Sequence, residues 1–372
     1  MTNNIPAEIG MAVADVDTPA LIVDLNALEK NIKTMADYVK TTGMRIRVHA
    51  KTHKSTDIAL KQIAAGACGV CCQKVSEAEA MVHGGIRDVL VSNEVVGPRK
   101  LNRLAALSKH ARIIVCADDA GNIDDLNDAA KRFDTILEVL VEIDAGAGRC
   151  GVQPGPACVP LAQKIEAASN LKFAGVQAYQ GKAQHMYDYA ERKAAIELST
   201  GKIRDSIQLL TDAGLSCDII GGAGTGTYKM ETESGVYNEL QCGSYALMDV
   251  DYGLIRMEDD VEISEFENSL FLYATVMSKT KVDRAICDAG LKVQSVDSGL
   301  PKIFGRSDVE YIGASDEHGV ISDPDNNMKL GEKIWLVPGH CDPTINIHDW
   351  IVGVRNGVVE TIWPVTARGM AL

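Results

Sequence analysis

The densest knot of reactive side chains in the chain is Arg47-Val48-His49-Ala50-Lys51-Thr52-His53-Lys54. An amine attacks carbonyl carbon once cationic neighbours or burial loosen its hold on a proton. Lys51, set among two imidazoles and a second lysine, is a candidate of that kind. The ordinary alternative for such a run is a solvated basic loop. A second stretch, Gly221-Gly222-Ala223-Gly224-Thr225-Gly226-Thr227, lets backbone N–H groups approach an anion closely, and its threonines add hydroxyls. No Gly-Lys-Ser/Thr follows it, so it is not a Walker loop. The third is Pro338-Gly339-His340-Cys341-Asp342-Pro343. In an extended chain His340 and Asp342 share a face, where they could hold a divalent cation such as Mn²⁺, Mg²⁺ or Zn²⁺, or simply each other.

These groups can act together only on a scaffold that gathers them. Val/Ile-rich segments at 45–49, 68–72, 88–92, 112–116, 137–143, 173–178, 218–220 and 239–242 read as strands, apolar almost throughout as buried parallel strands are. Helical periodicity fills the gaps at 55–65, 76–83, 98–110, 120–133, 156–168 and 187–213, and the glycine-rich gap before the last strand has room for a short helix only. Alternating βα units of this number predict an α/β fold with a closed TIM-type (β/α)8 barrel, better than an open doubly wound sheet. The Cys68-x-x-Cys71 pair falls inside a strand pattern and is expected to pack rather than bind metal.

Barrels collect reactive groups at the C-terminal ends of their strands. Those ends carry His49 and Lys51, Gln73, Asn93-Glu94, the run from Asp144 to Arg149, Tyr179-Gln180 with Gln184-His185 beyond, the glycine turn, and Gly243-Ser244-Tyr245. The loops after strands seven and eight commonly bind phosphate, which marks Gly222, Gly224, Thr225, Gly226, Gly243, Ser244 and Tyr245 as a cradle. A phosphate cradle facing a lysine suggests pyridoxal 5'-phosphate, with Arg149 by the pyridine nitrogen and Tyr179 or His49 beside the ring.

From about Val261 the texture changes to strand-like segments at 271–276, 284–287, 309–312, 333–337, 350–354 and 358–362, separated by Gly/Asp/Asn turns. A second, all-β domain is expected there, since 372 residues exceed what one core usually holds. A net charge of -14 argues against a nucleic-acid or acidic-membrane partner, so any anionic ligand must be held by local cations and backbone N–H groups. No apolar run suggests a membrane span, and the first residues lack a secretion pattern, so the ten cysteines are expected as cytoplasmic thiols.

The chain resembles the D-threonine aldolase and 3-hydroxy-D-aspartate aldolase branch of the alanine-racemase-fold pyridoxal-phosphate enzymes, relatives of the D-serine dehydratases. The likeness spans nearly the whole length. It rests on Asp17-Thr18-Pro19, His49 to Lys54, Cys71-Cys72-Gln73-Lys74-Val75-Ser76-Glu77-Ala78, Gly148-Arg149-Cys150-Gly151-Val152, Gln177-Ala178-Tyr179 and Gly224-Thr225-Gly226. It continues through Glu239 to Tyr245, Asp288-Ala289-Gly290-Leu291-Lys292, Gln294 to Pro301, Asp316-Glu317-His318-Gly319 and His340-x-Asp342-Pro343. The resemblance implies that Lys51 bonds the cofactor and that Arg149 and Tyr179 flank its ring. It implies that His340 and Asp342 bind a divalent metal and that His185 lies near the substrate hydroxyl as a base. It further implies a strand within 1–26 that joins the β-domain, a barrel over 27–260, a metal-bearing β-domain over 261–372, and a homodimer. The activity implied is cleavage of the Cα–Cβ bond of a D-3-hydroxy amino acid, foremost 3-hydroxy-D-aspartate to glycine and glyoxylate. The alternatives are D-threonine cleavage, dehydration to a 2-oxo acid and ammonia, and a non-enzymatic carrier of the cofactor. A substrate β-carboxylate would need a cationic partner, Lys182 or the metal.

Overall fold

Period-two alternation decides what each barrel strand shows to either side. In a computed structural model that describes residues 4–372, Ile46 and Val48 turn outward into the helix layer, while Arg47 and His49 turn into the barrel. The chain opens with strand β1 (Ala20–Asp24) and helix α1 (Leu25–Thr42), whose first N–H groups are capped by the Asp24 carboxylate. Parallel strands β2 (Arg45–His49), β3 (Gly69–Cys72), β4 (Asp88–Glu94), β5 (Arg112–Ala117), β6 (Leu137–Glu142), β7 (Leu171–Gln177), β8 (Ile219–Gly222) and β9 (Glu239–Leu240) then close a barrel. Around it lie α2 (Thr56–Ala64), α3 (Val75–His83), α4 (Pro98–Leu107), α5 (Ala120–Arg132), α6 (Cys158–Ala167), α7 (Tyr189–Asp212) and the short α8 (Tyr228–Glu233), followed by α9 (Val250–Gly253).

Inward side chains stack in tiers. At the N-terminal end the buried Arg47 holds the Glu239 carboxylate at 2.8 Å and pairs with Asp88, and Arg112 spans Asp88 at 3.0 Å and Glu138 at 2.6 Å. Above this ring Cys71, Leu90, Ile114, Cys116, Leu140, Ala174 and Ile219 form an apolar plug. The tier at the C-terminal end is polar, with His49, Gln73, Ser92, Gln177 and Gln241. Cys71 and Cys72 pack as buried strand residues, and the thiols are free.

A separate mixed sheet is built from β1 and β10 (Leu270–Lys281), β11 (Arg284–Cys287), β12 (Lys302–Ile303), β13 (Glu310–Ala314), β14 (Gly319–Ser322), β15 (Lys333–Val337), β16 (Trp350–Arg355) and β17 (Val358–Pro364). Strand β1 runs antiparallel to β10 and parallel to β16. The barrel and this sheet are the architecture expected from the sequence. Strands β12 and β14 are too short for alternation to reveal. The sheet domain also contains a helix, α10 (Cys341–Ile345), where an extended chain was expected. Thr344 Oγ1 closes its first turn on the His340 carbonyl at 2.7 Å, and Asp249 Oδ2 accepts the Cys341 N–H at 2.9 Å. Pro343 sits in the first turn, where a missing N–H costs nothing. Among the described residues no helix is long and apolar enough to cross a membrane.

Candidate active site

Above the plug, at the C-terminal ends of the barrel strands, lies a cavity of about 520 Å³. Its wall brings together Lys51, His49, Gln73, Arg149, Tyr179, His185, Gly224, Thr225, Gly243 and Ser244. Gly222, Gly226 and Tyr245 lie off this wall. A Cβ on Gly222 would stand 2.4 Å from the Ala178 carbonyl, so that glycine serves strand packing. Gly226 borders a neighbouring cleft. The Tyr245 ring is buried away from the cavity, its hydroxyl accepting from Gln62 Nε2 at 3.0 Å.

The loop after β2 is fixed from beneath. His53 Nδ1 accepts the Ser55 N–H at 3.1 Å, its Nε2 faces Gln62 Oε1 at 3.1 Å, and Gln62 continues to Tyr245. Burial pulls the His53 imidazole down to about 4. Because an unfolded imidazole titrates near 6.5, the unfolded chain takes up this proton first. The stabilising contribution is therefore complete above about pH 6.5 and is lost as pH falls toward 4. The urea midpoint is expected to drop across that window, and to drop less steeply in His53→Gln. His49, pulled to about 3 by burial and then by Lys51, adds a slope of the same sign.

Lys51 Nζ forms an ion pair with Asp342 Oδ2. Burial works against charge on both groups, yet their mutual attraction prevails, holding the ammonium above its ordinary range and the carboxylate below its own. Burial pushes the Tyr179 phenol up to about 12, and Arg149 lies over its ring at 5.7 Å. Arg149 also faces Glu142 at 4.0 Å, whose carboxyl is raised by burial and by Glu94.

Two imidazoles are oriented by carboxylates. His185 Nδ1 meets Asp251 Oδ2 at 2.9 Å, and Asp251 Oδ1 accepts from the Tyr187 hydroxyl at 2.5 Å. His340 Nδ1 meets Asp297 Oδ2 at 2.8 Å, leaving Nε2 free, the arrangement usual for a metal-ligating imidazole. His340 and Asp342 do not line the cavity; Asp342 reaches it through Lys51. Among the described residues no three His, Cys, Asp or Glu side chains converge on a metal position.

The donor set fits a phosphorylated aldehyde. Thr52 Oγ1, on the cavity wall, is buried without a partner. A Cβ on Gly243 would fall 2.4 Å from that oxygen and 2.9 Å from the His49 carbonyl, so only glycine lets these segments meet. Gln184 ties the glycine turn, accepting the Gly226 N–H at 3.0 Å and donating to Thr227 Oγ1 at 2.9 Å. Sequence reasoning missed Thr52, Gln177, Gln241 and Tyr252 on the wall, and Asp251 and Asp297 behind it. Each of the two carboxylates meets its histidine only in space, so no local spacing could reveal either.

Residues 23–250 match the family model of the alanine racemase N-terminal domain, and 269–354 match that of the serine dehydratase domain. The chain is 54% identical over 370 residues to a 3-hydroxy-D-aspartate aldolase of Paracoccus denitrificans, covering 98% of this chain and 96% of that one. It is 46% identical over 369 residues to a D-threonine aldolase of an Arthrobacter species, again covering 98% and 96%. The crystal structure of D-threonine aldolase from Filomicrobium marinum superposes with a TM-score of 0.96 at 50% identity, covering 99% of this chain and 100% of that one.

Proposed function

Because this chain belongs to the alanine racemase N-terminal domain family, in the branch of the 3-hydroxy-D-aspartate and D-threonine aldolases, we propose that it is a pyridoxal-phosphate-dependent carbon–carbon lyase. Its reaction is cleavage of 3-hydroxy-D-aspartate between Cα and Cβ to glycine and glyoxylate. The observation that carries this reading is one cavity holding an amine, an imidazole backed by a carboxylate, and a link from that amine to the His-x-Asp pair.

Lys51 would hold the cofactor's aldehyde carbon, Gly224, Thr225, Gly243 and Ser244 its phosphate, and Arg149 and Tyr179 its ring, with His49 and Gln73 on the wall alongside. Bound pyridoxal phosphate supplies an electron sink for the pair released at Cα. His340 and Asp342 would hold a divalent cation, Mn²⁺, Mg²⁺ or Zn²⁺, which supplies Lewis acidity.

The proton moves through His185. With Nδ1 engaged by Asp251, the free Nε2 accepts the proton of the 3-hydroxyl, and the Asp251 carboxylate stabilises the ring as it becomes cationic. Asp251→Asn keeps the shape but offers an amide where a carboxylate accepts from both His185 and Tyr187. It is expected to lower kcat by about 100-fold with KM changed only a few-fold, read by steady-state kinetics.

The reading is tested by product analysis. Supplied with pyridoxal phosphate, Mn²⁺ and 3-hydroxy-D-aspartate, the purified protein is expected to release glyoxylate and glycine in equal amounts. Oxaloacetate with ammonia would make it a dehydratase, and no turnover would leave only a cofactor carrier. A homodimer working in the cytoplasm is part of the proposal, and light scattering on the eluting protein reads the first.

A further inference from the structure

We infer that Lys182 receives the second carboxylate of the substrate, so that the site selects 3-hydroxy amino acids with an anionic β-substituent over those with an apolar one; this rests on the aldolase reading above. In 3-hydroxyaspartate the hydroxyl and the extra carboxylate hang on the same carbon. Whatever accepts the hydroxyl proton must therefore stand beside whatever holds the carboxylate. Lys182 and His185 lie on one 3₁₀ turn, Gly181–His185. Residues three apart on such a turn eclipse one another. Both line the cavity and are exposed, while Ala183 and Gln184 between them are buried.

The other cations of the cavity are engaged. Lys51 pairs with Asp342 and Arg149 lies over the Tyr179 ring at 5.7 Å, whereas Lys182 has no ion-pair partner among the described residues. The Lys182 amine lies against the Gly146–Gly148 turn, 3.5 Å from where a Gly148 Cβ would stand. The carboxylate belonging to that turn, Asp144, is spent on the Gly146 and Gly148 N–H groups, each at 2.9 Å from Oδ1. The base of the lysine is pinned as well. Gln180 Oε1 accepts the Lys182 N–H at 3.3 Å, and Gln180 Nε2 donates to the Ala145 carbonyl at 3.1 Å. In a chain of net charge -14, a substrate with two carboxylates needs such a local cation. After cleavage the same amine would hold the departing glyoxylate, because the carboxylate stays on that fragment.

The experiment compares kcat/KM for 3-hydroxy-D-aspartate and D-threonine in the wild-type holoenzyme, Lys182→Met and Lys182→Arg. Loss of a charge-assisted contact predicts that the ratio of the two values falls about 10- to 100-fold in Lys182→Met. Lys182→Arg should keep the ratio within a few-fold. Calorimetric binding gives a second readout. D-aspartate, which has no 3-hydroxyl to cleave, should weaken at least about tenfold more than D-2-aminobutyrate in Lys182→Met. An unmoved ratio overturns the inference, and so does a parallel loss on both substrates, which would put Lys182 on a group that both share. A wild-type protein that cleaves neither substrate overturns the aldolase reading, and this inference with it.

Discussion

Lys51→Ala is expected to cut turnover of 3-hydroxy-D-aspartate by about 10,000-fold while the protein still folds. The amine stands on the cavity wall just past the C-terminal end of β2, and the other wall residues of β2 and its loop, His49 and Thr52, carry no amine. Lys54, three residues on, is tied to Glu77 at 2.7 Å and faces away. The side chain of Lys51 is partly exposed and the loop beneath it is held by His53, Gln62 and Tyr245, so truncation leaves the scaffold intact. Lys51→Arg should fail almost as badly, although it preserves a cation for Asp342, because a guanidinium does not exchange bonds with an aldehyde. Stopped assays for glyoxylate, with circular dichroism as the folding control, read both variants. A Lys51→Ala enzyme within tenfold of the wild type would remove the lysine from the chemistry.

The second large effect is expected at Asp342. Asp342→Ala removes the partner of Lys51 and, on the proposed reading, a cation ligand, and should lower kcat by about 1,000-fold. Loss of the ligand and loss of the ion pair predict different things. If Asp342 acts only by holding Lys51, the variant should bind pyridoxal phosphate poorly and added cation should not matter. If it acts by holding the cation, the cofactor's absorbance band should remain, turnover should vanish, and millimolar Mn²⁺ should restore part of it. The free Nε2 of His340, with Nδ1 engaged by Asp297, favours the second outcome. Exhaustive chelation of the wild type should reproduce the same loss. Retention of full activity after chelation would dispose of the cation.

Much of this was written in local pattern. Apolar strands at regular spacing gave the barrel, because parallel strands buried on both faces have nowhere to put polar residues. Lys51, Arg149, Tyr179 and His185 were legible because each follows a strand, at the end where a barrel opens. What escaped is what depends on distance along the chain. Asp251 meets His185 from a short helix after the last barrel strand, and Asp297 meets His340 from an irregular loop. The His340-x-Asp342 spacing suggests an extended chain, yet only His340 is extended, and the bonds with Thr344 and Asp249 start α10 at Cys341. Of the expected glycine cradle, Gly222, Gly226 and Tyr245 lie off the cavity wall. Gly222 is small for the sake of the Ala178 carbonyl, and Tyr245 turns its ring to Gln62, both demands of packing that composition does not announce.

The most direct measurement is the site of cofactor attachment. The protein is loaded with pyridoxal phosphate, reduced with borohydride, digested and read by mass spectrometry. The account expects a single phosphopyridoxyl mass increment, on the peptide carrying Lys51 and at that residue. A label on Lys182 or Lys54 in its place, or one scattered over surface lysines, would contradict it.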